Sequence, residues 1–466
     1  MSLATFLTDN LAVILFYAII AFLIVKYRKK FEVQAKVIFL YKTKIGIKLM
    51  KKFSQPLSPK WDRFGRILFN ISGIITTILL LVIIFFGVIL KTSAPLILVI
   101  IFAITFLLFI ISIVGLRQIK KAGVAGIYVG FIGMAGIVAM LIKGLFDLIL
   151  RPEAPPALSP VIPGVKIPGS PIFVPFWYGI ISLFLVIVIH EFAHGVVSKA
   201  NKVKINSSGV GMMAIIPLAF VEPDEEALNK SGYKVKNSVF AAGPFSNILF
   251  AILALLIASF IISPAAFSMT DTVQGVYLFS QAGTPAAEAG MPGGDYHVLT
   301  LDVMNKVAVA PKQGSGVLIT QVDGQPISNY STFLEALNNT QIGDTVTFAN
   351  SEKSFEVTAE DNEGEPRFGF FISYLQVKPG VNTPIFILVS VLMELFGWLY
   401  ILSLGIGLAN LLPLGPVDGG RMLLSSLKKW FDKKKAATIF TKITALFLTL
   451  IILLVFVPII RAVIAG

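Results

Sequence analysis

The sequence predicts an α-helical polytopic membrane protein of about eight transmembrane helices, with one polar segment inserted on the outer side. Three observations predict it. Hydrophobic residues fill 56 % of the 466 positions and charged residues only 14 %. Apolar runs able to cross about 30 Å of hydrocarbon recur at about 10–27, 68–90, 95–115, 123–150, 173–198, 239–263, 383–408 and 437–462. Charge is unevenly divided: residues 264–382 carry 13 acidic and 5 basic side chains, a net of −8, so the remainder carries +21.

Taken in order, the first run is followed by Arg28-Lys29-Lys30 and by no cleavage-site pattern, so it reads as a retained anchor. Residues 26–66 hold about 13 basic and 2 acidic side chains, which places the loop 28–66 in the cytoplasm. Its Val37-Ile38-Phe39-Leu40 stretch suits either a loop lying on an anionic leaflet or a solvated one. Alternation then puts Lys120-Lys121, the 199–238 loop and the 428–435 cluster inside as well, and the acidic 264–382 segment outside. Gly123, Gly126, Gly130, Gly133 and Gly136 give the fourth run a small-residue face for close helix packing. Eight prolines in 151–175 exclude a helix there and predict an extended or re-entrant stretch. The ten apolar residues 210–219 are too short to span and read as re-entrant or strand-like. These positive clusters follow the positive-inside pattern rather than a nucleic-acid footprint, so no nucleic-acid partner is expected.

The chemistry concentrates in the fifth run, which contains His190-Glu191-Phe192-Ala193-His194. On a helix this spacing puts two imidazoles on one face, where both can ligate zinc, with Glu191 beside them as general base. Ionisable groups at the bilayer centre cost roughly 2.5–3.5 kcal/mol each on insertion scales, so the motif is expected to be functional. The chain has no cysteine and only three histidines, so a third ligand must come from Asp, Glu or water. The third histidine, His297, falls outside the runs and reads as an ordinary polar residue. Asp418 is the candidate ligand, in Asn410-Leu411-Leu412-Pro413-Leu414-Gly415-Pro416-Val417-Asp418-Gly419-Gly420 at the end of an apolar run. Irregular backbone at membrane depth is tolerated only where it is buried in protein or lines a cavity. Ala242-Gly243-Pro244-Phe245-Ser246-Asn247 adds a close-approach motif and an amide within the sixth run.

Together these motifs resemble the site-2 protease family of intramembrane zinc metalloproteases, over about 173–263 and 383–425. The Pro-rich run and Phe220-Val221-Glu222-Pro223-Asp224 are most similar to archaeal members. The family pattern usually has a proline where Gly415 stands, a departure that does not touch the ligands. The resemblance implies that His190, His194 and Asp418 ligate Zn²⁺, that Glu191 is the base, and that Asn410 and Asn247 contact substrate. Gly283-Thr284-Pro285-Ala286-Ala287-Glu288-Ala289-Gly290-Met291 resembles the opening of a PDZ domain. Residues 316–327 resemble its strand and turn, and 330–337 and 345–348 its next helix and strand. That implies an extracytoplasmic PDZ-like α+β domain over 264–382, departing from the pattern by an insert at 294–314.

The implied organisation is an N-terminal four-span region over 1–150, a catalytic core divided between 151–263 and 383–466, and the outer domain between its parts. The implied location is the cell membrane, with the active site in the cytoplasmic half of the bilayer. The implied activity is hydrolysis of a peptide bond within a transmembrane helix of a membrane-protein substrate, with a peptide or protein partner at the PDZ-like domain. A non-catalytic membrane adaptor and a transporter using the same polar groups stand as alternatives. Against the first stands the intact Glu191. Against the second, the two halves have no matching pair of broken helices.

Overall fold

The structure, a computed structural model, describes residues 11–34, 38–86, 96–113, 115–151, 156–165, 167–170, 172–213, 216–281, 283–294, 296–298, 309–311, 315–362 and 365–465. In chain order the elements are α1 (Leu11–Lys26), β1 (Phe31–Gln34), β2 (Ile38–Lys42), α2 (Ile45–Phe53), α3 (Pro59–Ile84), α4 (Leu96–Ser112), α5 (Leu116–Leu150), α6 (Phe176–Ala200), β3 (Ile205–Met213), β4 (Ile216–Pro223), α7 (Glu225–Lys230) and α8 (Tyr233–Ile257). There follow α9 (Ser263–Ser268), β5 (Thr270–Ser280), α10 (Pro285–Glu288), β6 (Tyr296–Val298), β7 (Val309–Pro311), β8 (Val317–Ile319), β9 (Gln321–Val322), β10 (Gln325–Pro326), α11 (Tyr330–Leu337), β11 (Thr345–Ala349), β12 (Ser354–Thr358), β13 (Glu360–Asn362), β14 (Glu365–Arg367) and β15 (Phe370–Val377). The chain closes with α12 (Thr383–Ala409), α13 (Asp418–Trp430) and α14 (Lys433–Ala465). Two compact units form, one of 1–253 with 398–466 and one of 254–397.

Among the described residues, 6 helices are long and apolar enough to cross a membrane, against the eight runs anticipated. The difference lies in the first and third runs, whose described helices α1 and α4 have 16 and 17 residues. At about 1.5 Å per residue, 17 residues reach about 25 Å, short of the hydrocarbon thickness. The described residues of the Pro-rich stretch form no helix or strand, as fixed φ angles and missing N–H groups dictate.

In the first unit, the anticipated glycine face of α5 is where neighbouring elements close in. A Cβ at Gly123 would lie 3.2 Å from Ser238 and Val197, and one at Gly126 3.3 Å from Phe245. At Gly130 it would lie 2.8 Å from Met422, and at Gly133 2.5 Å from Leu411. Four glycines therefore let α6, α8 and the start of α13 pack on one helix. Ile127, Met134, Ala241, Leu411 and Met422 are buried together at that junction. A second buried cluster joins Met50, Ile119, Val196, Val197, Val239 and Ala242, from α2, α5, α6 and α8.

The described residues of 31–66 are built into the fold rather than forming a free loop. The sheet order is β1-β2-β3-β4, all antiparallel, with Leu40 opposite Gly211 and Val210 opposite Ala219. The short apolar stretch 210–219 is thus part of a hairpin, and its second strand β4 ends the sheet and packs on α6. α7 starts on Asp224, whose carboxylate accepts from Ala227 N–H at 2.9 Å, with Glu225 and Glu226 in the first turn to complement the helix dipole.

The second unit is an α+β body. β15, β5 and β8 form one sheet, and β10, β9, β11 and β12 another. Val276, Leu278, Ile319, Phe333, Phe348 and Val357 form its core. α11 carries a capping box in which Asn329 Oδ1 accepts from Thr332 N–H at 3.0 Å. The insert contributes the β6–β7 pair, and β7 lies alongside β15.

Candidate metal centre

α6 is a nearly uniform apolar helix, and its interior polar residues face inward. His190 and His194 lie one turn apart and are 7 % and 9 % exposed. Their rings meet edge to face at 4.8 Å. The third member arrives from the break after α12. There the chain turns back on itself, and Gly419 N–H donates to Asn410 O at 2.7 Å. A Cβ on Gly419 would lie 2.3 Å from Leu411 O, and one on Gly420 1.7 Å from Leu414 O. The Gly-Gly pair is what lets the turn close. Asp418 opens α13, 9 % exposed, and a carboxylate in a helix's first turn is favoured by the helix dipole.

The three donor atoms converge. His190 Nε2 lies 3.1 Å from Asp418 Oδ2, His194 Nε2 3.2 Å from the same oxygen, and the two Nε2 atoms 3.1 Å apart. Among the described residues, this is a group of three side chains spaced to hold a metal ion. A tetrahedral ion with bonds of about 2.0–2.1 Å separates its donors by about 3.3–3.4 Å, so the set needs only a few tenths of an ångström of opening. Two further features fit an ion. His194 Nδ1 faces Val239 O at 2.7 Å, so that nitrogen carries the proton and Nε2 keeps its lone pair for the group. A Cβ on Gly243 would lie 2.4 Å from both Nε2 atoms, so α8 offers a floor shaped by a missing side chain. Pro244, next to it, gives no N–H to the Phe240 carbonyl.

Glu191 lines the same cleft as the two histidines and Asp418, a space of about 780 Å³. Its Oε2 accepts from Val221 N–H at 3.0 Å. Among the described residues, β4 is the end strand of its sheet. Asn410 also lines the cleft, and its amide donates to Ile406 O at 3.0 Å. Asn247 takes a different place. It is 0 % exposed, and its amide lies against the back of the His190 ring, 3.1 Å from Nδ1. The cleft wall further includes Lys236, Arg421 and Lys428, which the motifs did not single out. Arg421 lies three residues beyond Asp418, one turn along the same helix, and that spacing is readable in the sequence. Lys236 and Lys428 gave no such signal.

Comparison with known proteins gives a relative and a family. An uncharacterized protein of Methanocaldococcus jannaschii is 24 % identical over 258 residues, which cover 53 % of this chain and 56 % of the relative. The chain thus spans about half the length of this curated relative. The model of peptidase family M50 matches residues 178–455, a stretch that begins on α6, includes every residue of the His-His-Asp group and ends on α14. With more than half its length matched, the chain belongs to peptidase family M50, the site-2 protease family.

Proposed function

We propose that the protein is an intramembrane zinc endopeptidase, cutting a peptide bond within or near a transmembrane helix of another membrane protein. The observation that carries this reading is the convergence of His190, His194 and Asp418 in one cleft with Glu191. Two imidazole nitrogens and one carboxylate oxygen suit Zn²⁺, and three protein ligands leave a fourth position open. When bound there, the metal supplies Lewis-acid polarisation of the scissile carbonyl and makes water a stronger acid.

The chain's own residues do the rest. Glu191 takes the proton from the attacking water and returns it to the leaving amine. The Val221 N–H fixes Oε2 of that carboxylate, leaving Oε1 for the water. The peptide must be extended to be cut, because a helix hides its carbonyls in hydrogen bonds. β4 ends its sheet beside Glu191, so a locally unwound substrate can pair with its outer edge, the general way sheets capture extended peptides. Lys236, Arg421 and Lys428 on the cleft wall would admit water. Lys236 and Lys428 belong to the positive clusters that read as cytoplasmic, which supports an active site toward that face. Asn410, on the cleft wall, would contact the substrate backbone.

Residues 264–382, which lie within the second unit, would act as an extracytoplasmic PDZ-like filter or docking module. The reading as a catalytically idle adaptor finds no support in a cleft that keeps a carboxylate beside the metal group. Purified protein should hold about one zinc per chain, lost in His190→Ala, His194→Ala and Asp418→Ala. Glu191→Gln should keep the zinc and lower cleavage of a transmembrane-helix reporter by about 10²–10⁴. Cleavage surviving in Glu191→Gln would overturn the assignment of the base.

A further inference from the structure

We propose that Asn247 is the positioning residue of the metal centre. Its side-chain carbonyl accepts the Nδ1–H of His190 and so holds that ring with Nε2 turned to the metal. The inference rests on the zinc-enzyme reading above and gives Asn247 a role distinct from substrate contact.

The geometry starts from the two histidines. His194 has its Nδ1 on a backbone carbonyl, Val239 O at 2.7 Å, which fixes its tautomer. For His190, what faces Nδ1 among the described residues is the Asn247 amide, at 3.1 Å. With the amide nitrogen toward Nδ1, the ring would have to accept there and carry its proton on Nε2. That proton would point at Asp418 Oδ2 and His194 Nε2, each 3.1 Å away, and Nε2 would have no lone pair to give a metal. A ligating His190 therefore needs the opposite amide orientation, with Oδ1 toward Nδ1–H. The two orientations fill the same volume. Turning the amide breaks no other bond among the described residues, where the buried Asn247 Oδ1 has no partner.

The residue is held for this task. Asn247 is 0 % exposed and is not part of the cleft wall, so it does not face the peptide. Ser403 Oγ donates to Asn247 O at 2.9 Å. Gly407 leaves room for it, since a Cβ there would lie 3.1 Å from Asn247 Cβ. α8 is thus pinned against α12 at this level, and the amide is presented to His190 from behind. Outer-shell partners of ligating histidines set tautomer and ring angle, and their loss typically costs 10–100-fold in metal affinity.

The test is zinc affinity of the full-length protein in detergent, measured by chelator competition, together with thermal unfolding of the metal-free form. Asn247→Leu keeps the shape and removes the acceptor, and zinc affinity should fall about 10–100-fold with metal-free unfolding unchanged. Asn247→Asp keeps an acceptor and removes the amide N–H, and should bind zinc within about threefold of wild type or more tightly. Asn247→Ala carries the same prediction as the leucine variant should that one fail to fold. Wild-type affinity in the leucine or alanine variant would overturn the assignment. So would an Asn247→Asp variant as weak as these, because the amide N–H or mere packing would then be what matters. A wild-type protein without zinc affinity would instead sink the zinc-enzyme reading itself, and the two failures are told apart by that control.

Discussion

Gly243 decides how close α8 can come to the His190–His194 pair. A methyl group there would stand 2.4 Å from both Nε2 atoms, far inside van der Waals contact with the two donor nitrogens. Overpacking of this kind costs about 1–3 kcal/mol, and here it falls on the ligands. Gly243→Ala should therefore weaken zinc binding at least about tenfold. Gly136→Ala is the matched control, because a Cβ at Gly136 meets nothing within 4 Å, and its zinc affinity should equal wild type. Chelator competition on the two variants decides the point; equal affinities would mean that α8 is not the floor of the site. At this scale most of the centre was legible. His190, Glu191 and His194 share one helical face by spacing alone, and the Asp418 carboxylate at a helix break needs no tertiary information to stand out. Asn247 stood out as an amide in an apolar run, but its partner could not be read, because the contact joins α6 to α8 across 57 positions.

Among the elements, β4 is the one whose role depends on its place in the sheet. Val221 stands opposite Ser208 on the end strand, and its N–H donates to the Glu191 side chain, so its removal is expected to spare the strand pairing. Proline is tolerated on outer edges for that reason. Val221→Pro should leave the hairpin and zinc content intact while freeing the Glu191 carboxylate. A hydrogen bond to a charged group is worth about 1.5–3 kcal/mol, so turnover should fall about 10–100-fold. Steady-state cleavage of a reporter helix, with zinc content measured in parallel, reads this directly. Unchanged turnover would show that the Val221 bond does not hold the base in place. The short apolar run at 210–219 announced strand or re-entrant structure. Its partner did not: β2 comes from residues 38–42, some 170 positions earlier, inside a segment whose dominant signal is positive charge. Pairing at such separation leaves no periodic trace in either strand. The helices fared better, because an apolar run in a membrane has few structural options. The first and third runs fell short only in described length.

For the whole molecule, the metal group and the second unit are separable in the chain. All of His190, Glu191, His194, Asn247, Gly243 and Asp418 belong to the unit of 1–253 with 398–466. Within the second unit, Thr270 at the start of β5 pairs with Val377 at the end of β15. Paired residues across an antiparallel ladder have Cα atoms about 4.5–5.5 Å apart. Excising the residues between them and closing the gap with two or three glycines therefore asks for no rearrangement at the cut, as with inserted domains whose termini are adjacent. Zinc stoichiometry should stay near one per chain, with affinity within about threefold of wild type, because no ligand or outer-shell partner is removed. What should change is choice among substrates: a reporter with a bulky outer domain should be cut faster relative to a short one if the excised body excludes large partners. Chelator competition and paired cleavage rates on the excised protein measure the two halves of this prediction separately. Lost zinc would mean that the second unit shapes the metal site, and an unchanged substrate ratio would mean that it is not a filter.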